Sequence, residues 1–177
     1  MCRVFTKINK NNMQIYIGSD HGGYEMKGNL VEYLKGQNLD VVDLGCFSED
    51  SVDYPDIARE VSEKVTENEG SKGVLICGTG IGMQMMANKM PGIRATVATD
   101  ENMAEMSRKH NNANVLTLGG RTTELEKAKS IVSAFLGHEF EKGEERHVRR
   151  VNKMDAQGAW VVSGEEPESV STCSDCE

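Results

Sequence analysis

The stretch 72–90 constrains the fold most strongly, because an apolar run leads into a glycine-rich loop and then into helix-forming residues. Gly73–Ile76 is typical of a buried parallel strand, and Met83–Lys89 favours a helix. Between them, Cys77 is followed by GTGIG, which leaves backbone N–H groups uncovered at a helix start, where negative charge is stabilised. A thiol in such a position favours the thiolate. The stretch therefore predicts an active site in which the Cys77 sulfur acts as a base or nucleophile.

Two other interpretations of this loop stay open at this point. Cys77 is compatible with a small core residue, and the glycines with a simple turn. The loop is also compatible with dinucleotide binding, because Asp100 lies about 20 residues further on, where a ribose-binding acid belongs. The spacing disfavours a dinucleotide site, since the glycines form GxGxG and Met83 occupies the position that requires Gly or Ala.

Strand-like and helix-like segments alternate about five times with short connections. The predicted strands are Met13–Gly18, Asp40–Leu44, Gly73–Ile76, Ile93–Thr99 and Asn114–Leu118. The predicted helices are Tyr24–Gly36, Pro55–Val65, Met83–Lys89, Glu101–Lys109, Glu124–Leu136 and Glu144–Met154. This alternation predicts an α/β protein with a parallel sheet covered by helices on both faces. Asp20, His21, the Cys77 loop and Asp100 follow strands, so we expect them at one edge of the sheet.

Composition and length bound the remaining possibilities. The chain divides into a 1–12 extension, a 13–156 domain and an acidic 157–177 tail that we expect to be disordered. A net charge of −8 disfavours nucleic acid as a partner, and no apolar run is long enough to cross a membrane. Five scattered cysteines suggest reduced, cytoplasmic thiols, and the Cys173/Cys176 pair has no companion pair or histidines to complete a zinc site.

Histidines and arginines supply two further candidates. His21 follows a predicted strand and precedes two glycines, so it is equally compatible with ligand binding and with an ordinary loop after a capping Asp20. His110 ends a predicted helix, where cations and a following asparagine suit a purely structural role. Arg146 and Arg150 lie four residues apart on one helix face, which favours either a phosphate clamp or a solvated basic patch.

Seven motifs together resemble the ribose-5-phosphate isomerase type B family, to whose superfamily galactose-6-phosphate isomerase subunits also belong. They are GSDHGG (18–23), SVDYPD (51–56), LICGTGIG (75–82), ANKMPGIRA (87–95), SRKHNNANV (107–115), LGGRTT (118–123) and ERHVRRV (145–151). The likeness covers residues 13–156 in order. It implies a five-stranded parallel sheet in a three-layer α/β/α sandwich. It also implies a homodimer, or a dimer of such dimers, with active sites at the subunit interface and no metal or nucleotide cofactor.

The resemblance also implies a role for each matching residue in interconverting an aldose phosphate and a ketose phosphate through a cis-enediolate. Cys77 is the implied base, Thr79 and the backbone of Gly78, Gly80, Ile81 and Gly82 hold the oxyanion, and His110 assists ring opening beside Asn111. Asp20 is implied to bind sugar oxygens, His21 to lie near the phosphate or the ring oxygen, and Tyr54 to line the site. Arg121, Arg146 and Arg150 are implied to hold the phosphate. Members without the cysteine carry a glutamate at the position of Met83, which here cannot accept a proton.

The expected substrate pair is ribose 5-phosphate and ribulose 5-phosphate. A six-carbon sugar phosphate such as allose or galactose 6-phosphate is the nearest alternative, because loop sequences do not reveal pocket depth. From a different class, a non-catalytic sugar-phosphate or nucleotide sensor is a further alternative. The complete set of base, ring-opening residue and phosphate clamp disfavours it.

Overall fold

The computed structural model describes the backbone of residues 13–163 and the side chains of residues 13–156. Its centre is one five-stranded parallel sheet in the order β2-β1-β3-β5-β4. The strands are β1 (Gln14–Ser19), β2 (Asp40–Asp43), β3 (Lys72–Cys77), β4 (Ala95–Val97) and β5 (Val115–Gly119). The predicted parallel sheet is therefore confirmed, with β3, which carries Cys77, in the central position.

Within the described residues, six helices connect and cover the strands. They are α1 (Tyr24–Gly36), α2 (Tyr54–Glu67), α3 (Ile81–Ala87), α4 (Glu101–Asn111), α5 (Leu125–Gly137) and α6 (Glu145–Ser163). A short 3-10 turn, His21–Gly23, precedes α1. Pro55 occupies the first turn of α2, as expected of a residue whose missing N–H costs nothing there.

The core consists of two apolar layers, one on each face of the sheet. Along β3, Val74 and Ile76 belong to the layer under α1, α4 and α5, whereas Leu75 and Cys77 belong to the layer under α2 and α3. This alternation follows from the two-residue period of a strand and makes the fold a three-layer α/β/α sandwich. Helices on both faces bury β3 from Gly73 to Cys77, so its carboxyl end lies in the packed interior.

The largest differences between the predicted and the observed boundaries are at β4 and α6. Strand β4 is only three residues long, because the N–H groups of Arg94 and Ala95 bond to the side chains of Asn114 and Asn88 at its start. Helix α6 continues to Ser163 and so enters the stretch 157–177 that the sequence assigns to a tail. Residues 1–12 and 164–177, including Cys173 and Cys176, lie outside the described residues.

Membrane insertion receives no support from the helices. Within residues 13–163, every helix is too short or too polar to cross a bilayer.

Candidate active site

The Cys77 sulfur lies at the carboxyl end of the central strand, against the start of the glycine-rich loop. Its Sγ atom accepts a hydrogen bond from the backbone N–H of Gly80 at 3.1 Å, and the residue is only 6% exposed. A backbone N–H pointing at sulfur is a contact that a thiolate accepts more strongly than a thiol does. The loop is therefore built to place one sulfur atom and to offer it a donor.

Gly80 is required by the backbone of this loop. Its φ is +81°, in the left-handed region, and a Cβ here would lie 2.9 Å from the carbonyl carbon of Leu118. An L-residue would meet both conformational strain and a clash with β5. The glycine therefore allows the loop to lie directly on β5 while donating its N–H to Cys77.

The 3-10 turn after β1 packs onto the same loop. The Asp20 N–H donates to the carbonyl of Ile76 at 3.1 Å, and the Asp20 Oδ1 accepts from the Gly22 N–H at 2.8 Å. A Cβ on Gly22 would lie 3.2 Å from the Gly78 nitrogen, so the two backbones pass in close contact. Asp20 thus caps the turn, in agreement with the capping role that the sequence left open. This bond uses one carboxylate oxygen and leaves the other for a further donor.

Arg121 and His21 flank the loop on one side. The Arg121 N–H donates to the Gly78 carbonyl at 3.1 Å, and its side chain runs within 3.7 Å of where a Cβ of Gly78 would be. His21 has a buried Nδ1 atom that lacks a hydrogen-bond partner in the described structure. Both residues line a cavity of about 490 Å³, together with Tyr24, Glu49 and Thr123. A guanidinium and an imidazole with unused hydrogen-bonding capacity suit an anionic ligand in this cavity.

Tyr54 closes the opposite side of the loop. Its ring would lie 2.9 Å from a Cβ on Gly82, so only glycine permits this contact, and the side chain is 39% exposed. Thr79 and Ile81 are exposed at the tip, where the Thr79 Oγ1 lies 3.5 Å from the Ile81 nitrogen. The structure therefore brings Tyr54 beside the Cys77 loop, as predicted.

His110 and Asn111 lie at the other edge of the sheet. Helix α4 starts after the carboxyl end of β4 and runs back towards the strand starts, so its last residues reach the amino edge. Asn112, in the left-handed conformation with φ 49°, ends the helix, and the following Asn114 accepts a hydrogen bond from Gly73 at the start of β3. Since a six-residue strand spans roughly 20 Å, His110 is far from Cys77 within one chain.

The two predicted clamp arginines accompany His110. The Glu141 N–H donates to the Lys109 carbonyl at 3.0 Å, which brings the start of α6 against the end of α4. Arg146 and Arg150 are exposed on the first turns of α6, and the Arg146 Nε lies 3.7 Å from a Glu144 carboxylate oxygen. The structure thus divides the predicted site residues into two groups at opposite edges of the sheet.

His147, between these arginines, packs against His110. The ring centroids are 4.3 Å apart, and His147 is 3% exposed. Burial lowers the pKa of His147, and the nearby His110 and Arg146 lower it further. These effects favour the neutral ring, whose Nδ1 atom lacks a hydrogen-bond partner among the described residues.

Asp100 does not support the dinucleotide alternative. Its carboxylate caps α4 by accepting from the Met103 N–H at 2.8 Å. Strand β5 also separates β4, which Asp100 follows, from the Cys77 strand β3. A ribose-binding acid must follow the strand beside the glycine-rich loop, and here it does not.

Sequence reasoning assigned no role to His147 and missed Glu141 in the second group. Glu141 places a carboxylate oxygen 3.9 Å from the His110 Nε2 and 3.6 Å from the His147 Nδ1. It lies in a polar stretch rich in glutamate, where nothing in the local pattern distinguishes it from its neighbours. Only the tertiary contact between the end of α4 and the segment 138–144, which precedes α6, reveals the position of Glu141.

Comparison with known proteins gives a consistent result across the domain. The sequence profile described as Ribose/Galactose Isomerase matches residues 15–154. Ribose-5-phosphate isomerase B of Escherichia coli is 43% identical over 143 residues, which cover 81% of this chain and 95% of that protein. The probable ribose-5-phosphate isomerase B of Mycoplasma pneumoniae is 44% identical over 146 residues, 82% of this chain and 95% of that protein.

Solved structures agree with the sequence comparisons. Ribose-5-phosphate isomerase B of Clostridium thermocellum superimposes with a TM-score of 0.81 at 46% identity, covering 84% of this chain and 99% of that one. The type B enzyme of Trypanosoma cruzi gives a TM-score of 0.78 at 44% identity, covering 82% and 98%. The match includes both edges of the sheet and hence both groups of site residues.

Proposed function

The chain belongs to the ribose/galactose isomerase family, and we propose that it interconverts ribose 5-phosphate and ribulose 5-phosphate through a cis-enediolate. This reaction belongs to the non-oxidative interconversion of pentose phosphates. The observation that carries the proposal is the Cys77 Sγ atom, which receives the Gly80 N–H at 3.1 Å beside Arg121 and the Asp20 turn. The pentose substrate is supported by the relatives that carry that name at over 40% identity.

The reaction requires a base beside C1 and C2 of the sugar and hydrogen-bond donors for the oxyanion that forms there. The Cys77 thiolate removes the proton from C2 of the open-chain aldose and returns it to C1, while the hydroxyl proton on O2 moves to O1, so that no net proton is consumed. The negative oxygen of the enediolate is held by backbone N–H groups of the 78–82 loop and by the Thr79 hydroxyl. These donors belong to a loop that packs directly on β5. This packing supports the proposal that they stabilise the intermediate without first reorganising.

The second group of residues, at the amino edge of the sheet, is proposed to bind the substrate phosphate and to act at the ring oxygen. We propose a homodimer in which the partner subunit's His110 and Asn111 assist ring opening near Cys77. The partner subunit's Arg146 and Arg150 then hold the phosphate together with Arg121 and His21. This arrangement is supported by the separation of the two groups within one chain, because neither group alone supplies both a base and a full clamp.

A cytoplasmic location is part of the proposal. It is supported by Cys46 and Cys77, which are both free thiols in the structure. A reducing compartment would keep the Cys77 thiolate available, since oxidation of Cys77 would remove the base.

The direct test is a coupled assay for ketose formation from ribose 5-phosphate, comparing Cys77→Ala with Cys46→Ala. Both residues are buried free cysteines, so the pair separates catalysis from loss of a small core side chain. We expect Cys77→Ala to lose turnover by at least about a hundredfold while binding inorganic phosphate normally, because the thiolate acts in the transition state. Cys46→Ala should remain active. If Cys77→Ala kept more than about a tenth of kcat, Cys77 would not be the main base.

A further inference from the structure

Three donor groups converge where the end of α4 meets the segment 138–144 and the first turn of α6. One nitrogen from each of His110 and His147 and one carboxylate oxygen of Glu141 all lie within 4.8 Å of one another. The two imidazole rings are side by side, with centroids 4.3 Å apart. Two histidines and one carboxylate are a donor set that divalent transition metals such as Zn²⁺ bind, with one position left open.

The distances are close to those that a tetrahedral ion requires. With bonds of about 2.0–2.1 Å, neighbouring donors around Zn²⁺ lie about 3.3 Å apart. The Glu141 Oε2 atom is 3.6 Å from the His147 Nδ1 and 3.9 Å from the His110 Nε2. The Glu141 and His110 side chains are 38% and 40% exposed, so both can turn towards a common ion, which also requires the two histidine nitrogens, now within 4.8 Å, to approach each other.

The buried Nδ1 of His147 is the independent sign that this cluster takes a ligand. Among the described residues it has no hydrogen-bond partner, although the residue is 3% exposed. Leaving such an atom without a partner costs free energy. It faces the Glu141 carboxylate, and its lone pair would be satisfied by a metal ion lying between them.

Nearby groups do not compete strongly for this carboxylate. Lys109 approaches Glu141 only to 3.9 Å, whereas it pairs with Glu105 at 2.7 Å. His138, the other histidine of this region, is already engaged, because its Nδ1 lies 2.8 Å from the Ala134 carbonyl. Among the described residues, the donors that are placed to share a metal ion are therefore His110, Glu141 and His147.

We propose that His110, Glu141 and His147 form a binding site for a divalent transition-metal cation, and that the bound cation inhibits the enzyme. Coordination uses the lone pair of His110, so this imidazole cannot exchange a proton with the sugar while the metal is bound. The inhibition rests on the proposed function, whereas the binding site does not. Zn²⁺ is the probe that matches the donor set.

The test uses the full chain carrying Cys173→Ser and Cys176→Ser, which removes a competing pair of thiols. Zn²⁺ binding is measured by calorimetry, and Co²⁺ binding by absorption, because thiolate ligands give a charge-transfer band that nitrogen and oxygen ligands do not. Glu141→Gln and His147→Gln remove one donor each. Glu139→Gln and His138→Gln are the matched controls, since each is a neighbouring residue of the same type outside the cluster.

We expect one Zn²⁺ per chain, a Co²⁺ spectrum without a thiolate band, and affinity reduced at least about tenfold by Glu141→Gln. Glu141 is partly exposed, so this variant remains informative if His147→Gln fails to fold. The controls should bind as the parent does. Isomerase inhibition, expressed relative to the zinc-free activity of each variant, should weaken in parallel with binding.

The two possible failures are distinguishable. No saturable binding would overturn the site. Binding that Glu141→Gln leaves unchanged would also overturn it, and a thiolate band would then assign the metal to a cysteine. Binding that Glu141→Gln weakens, in a protein without isomerase activity, would support the site and contradict the proposed function. Binding of this kind without inhibition of an active enzyme would overturn the inhibitory role.

Discussion

Cys77 and His110 lie at opposite edges of the same five-stranded sheet, Cys77 as the last residue of β3 and His110 near the end of α4. The strands between the edges run roughly 20 Å, so the two side chains of one chain cannot act on the same sugar. A two-fold dimer can bring the His110 edge of one subunit to the Cys77 edge of the other. The proposed mechanism therefore requires that two chains build each active site.

The first prediction concerns the phosphate clamp. Arg146→Ala and Arg150→Ala should each raise KM for ribose 5-phosphate at least about tenfold, because a charge-assisted contact to phosphate is lost. Arg149→Ala is the matched control, since Arg149 is an exposed arginine on the same helix. Steady-state kinetics on the three variants decides. Unchanged KM in both clamp variants would make this stretch a solvated basic face.

The second prediction concerns the loop glycine that positions the Cys77 donor. Gly80→Ala should destabilise the fold by about 1–2 kcal/mol or more and reduce kcat, because a side chain at φ +81° is strained and meets β5. Gly28 is the control: it lies within α1, and nothing comes within 4 Å of a Cβ there. Gly28→Ala should stabilise the protein by about 0.5–1 kcal/mol. Urea unfolding that gives both variants the same stability change would contradict this account of the loop.

The third prediction follows from Lys72 at the amino edge. Burial, with a smaller contribution from the nearby Arg108, lowers the pKa of Lys72 from 10.5 to about 8. Its Nζ atom donates to the carbonyls of Gly70 and Ser71 at 2.8 and 3.1 Å. Between about pH 8 and 10.5 the unfolded chain binds more protons at this site, so Lys72 makes the protein more stable as pH rises through this window.

Comparison with Lys72→Met isolates this effect from other groups that titrate at alkaline pH. The free energy of unfolding of the wild type, relative to that of Lys72→Met, should increase by on the order of 1 kcal/mol between pH 7 and pH 10. This figure already allows for solvent screening of a partly exposed amine. A constant difference between the two proteins across this range would mean that Lys72 titrates normally.

Sequence patterns predicted the layers, the strand order along the chain and the Cys77 loop, because each depends on local periodicity and on glycine. The left-handed asparagine after α4 is likewise a local signal, and Asn112 confirms it. The position of Glu141 depends instead on where the chain between α5 and α6 meets Lys109, a contact that no local pattern encodes. The family resemblance assigned these residues to one active site. Only helix direction and strand length show that they lie at two opposite edges of the sheet.

The most direct test of the shared site uses two inactive variants, Cys77→Ala and His110→Ala. Unfolding them together and refolding makes about half of the dimers hetero, and each heterodimer has one site with both changes and one with neither. We predict recovery of about a quarter of wild-type activity, while each variant refolded alone stays inactive and refolded wild type sets the scale. A mixture that refolds to dimers yet stays at background would place Cys77 and His110 of one site on a single chain and contradict the account.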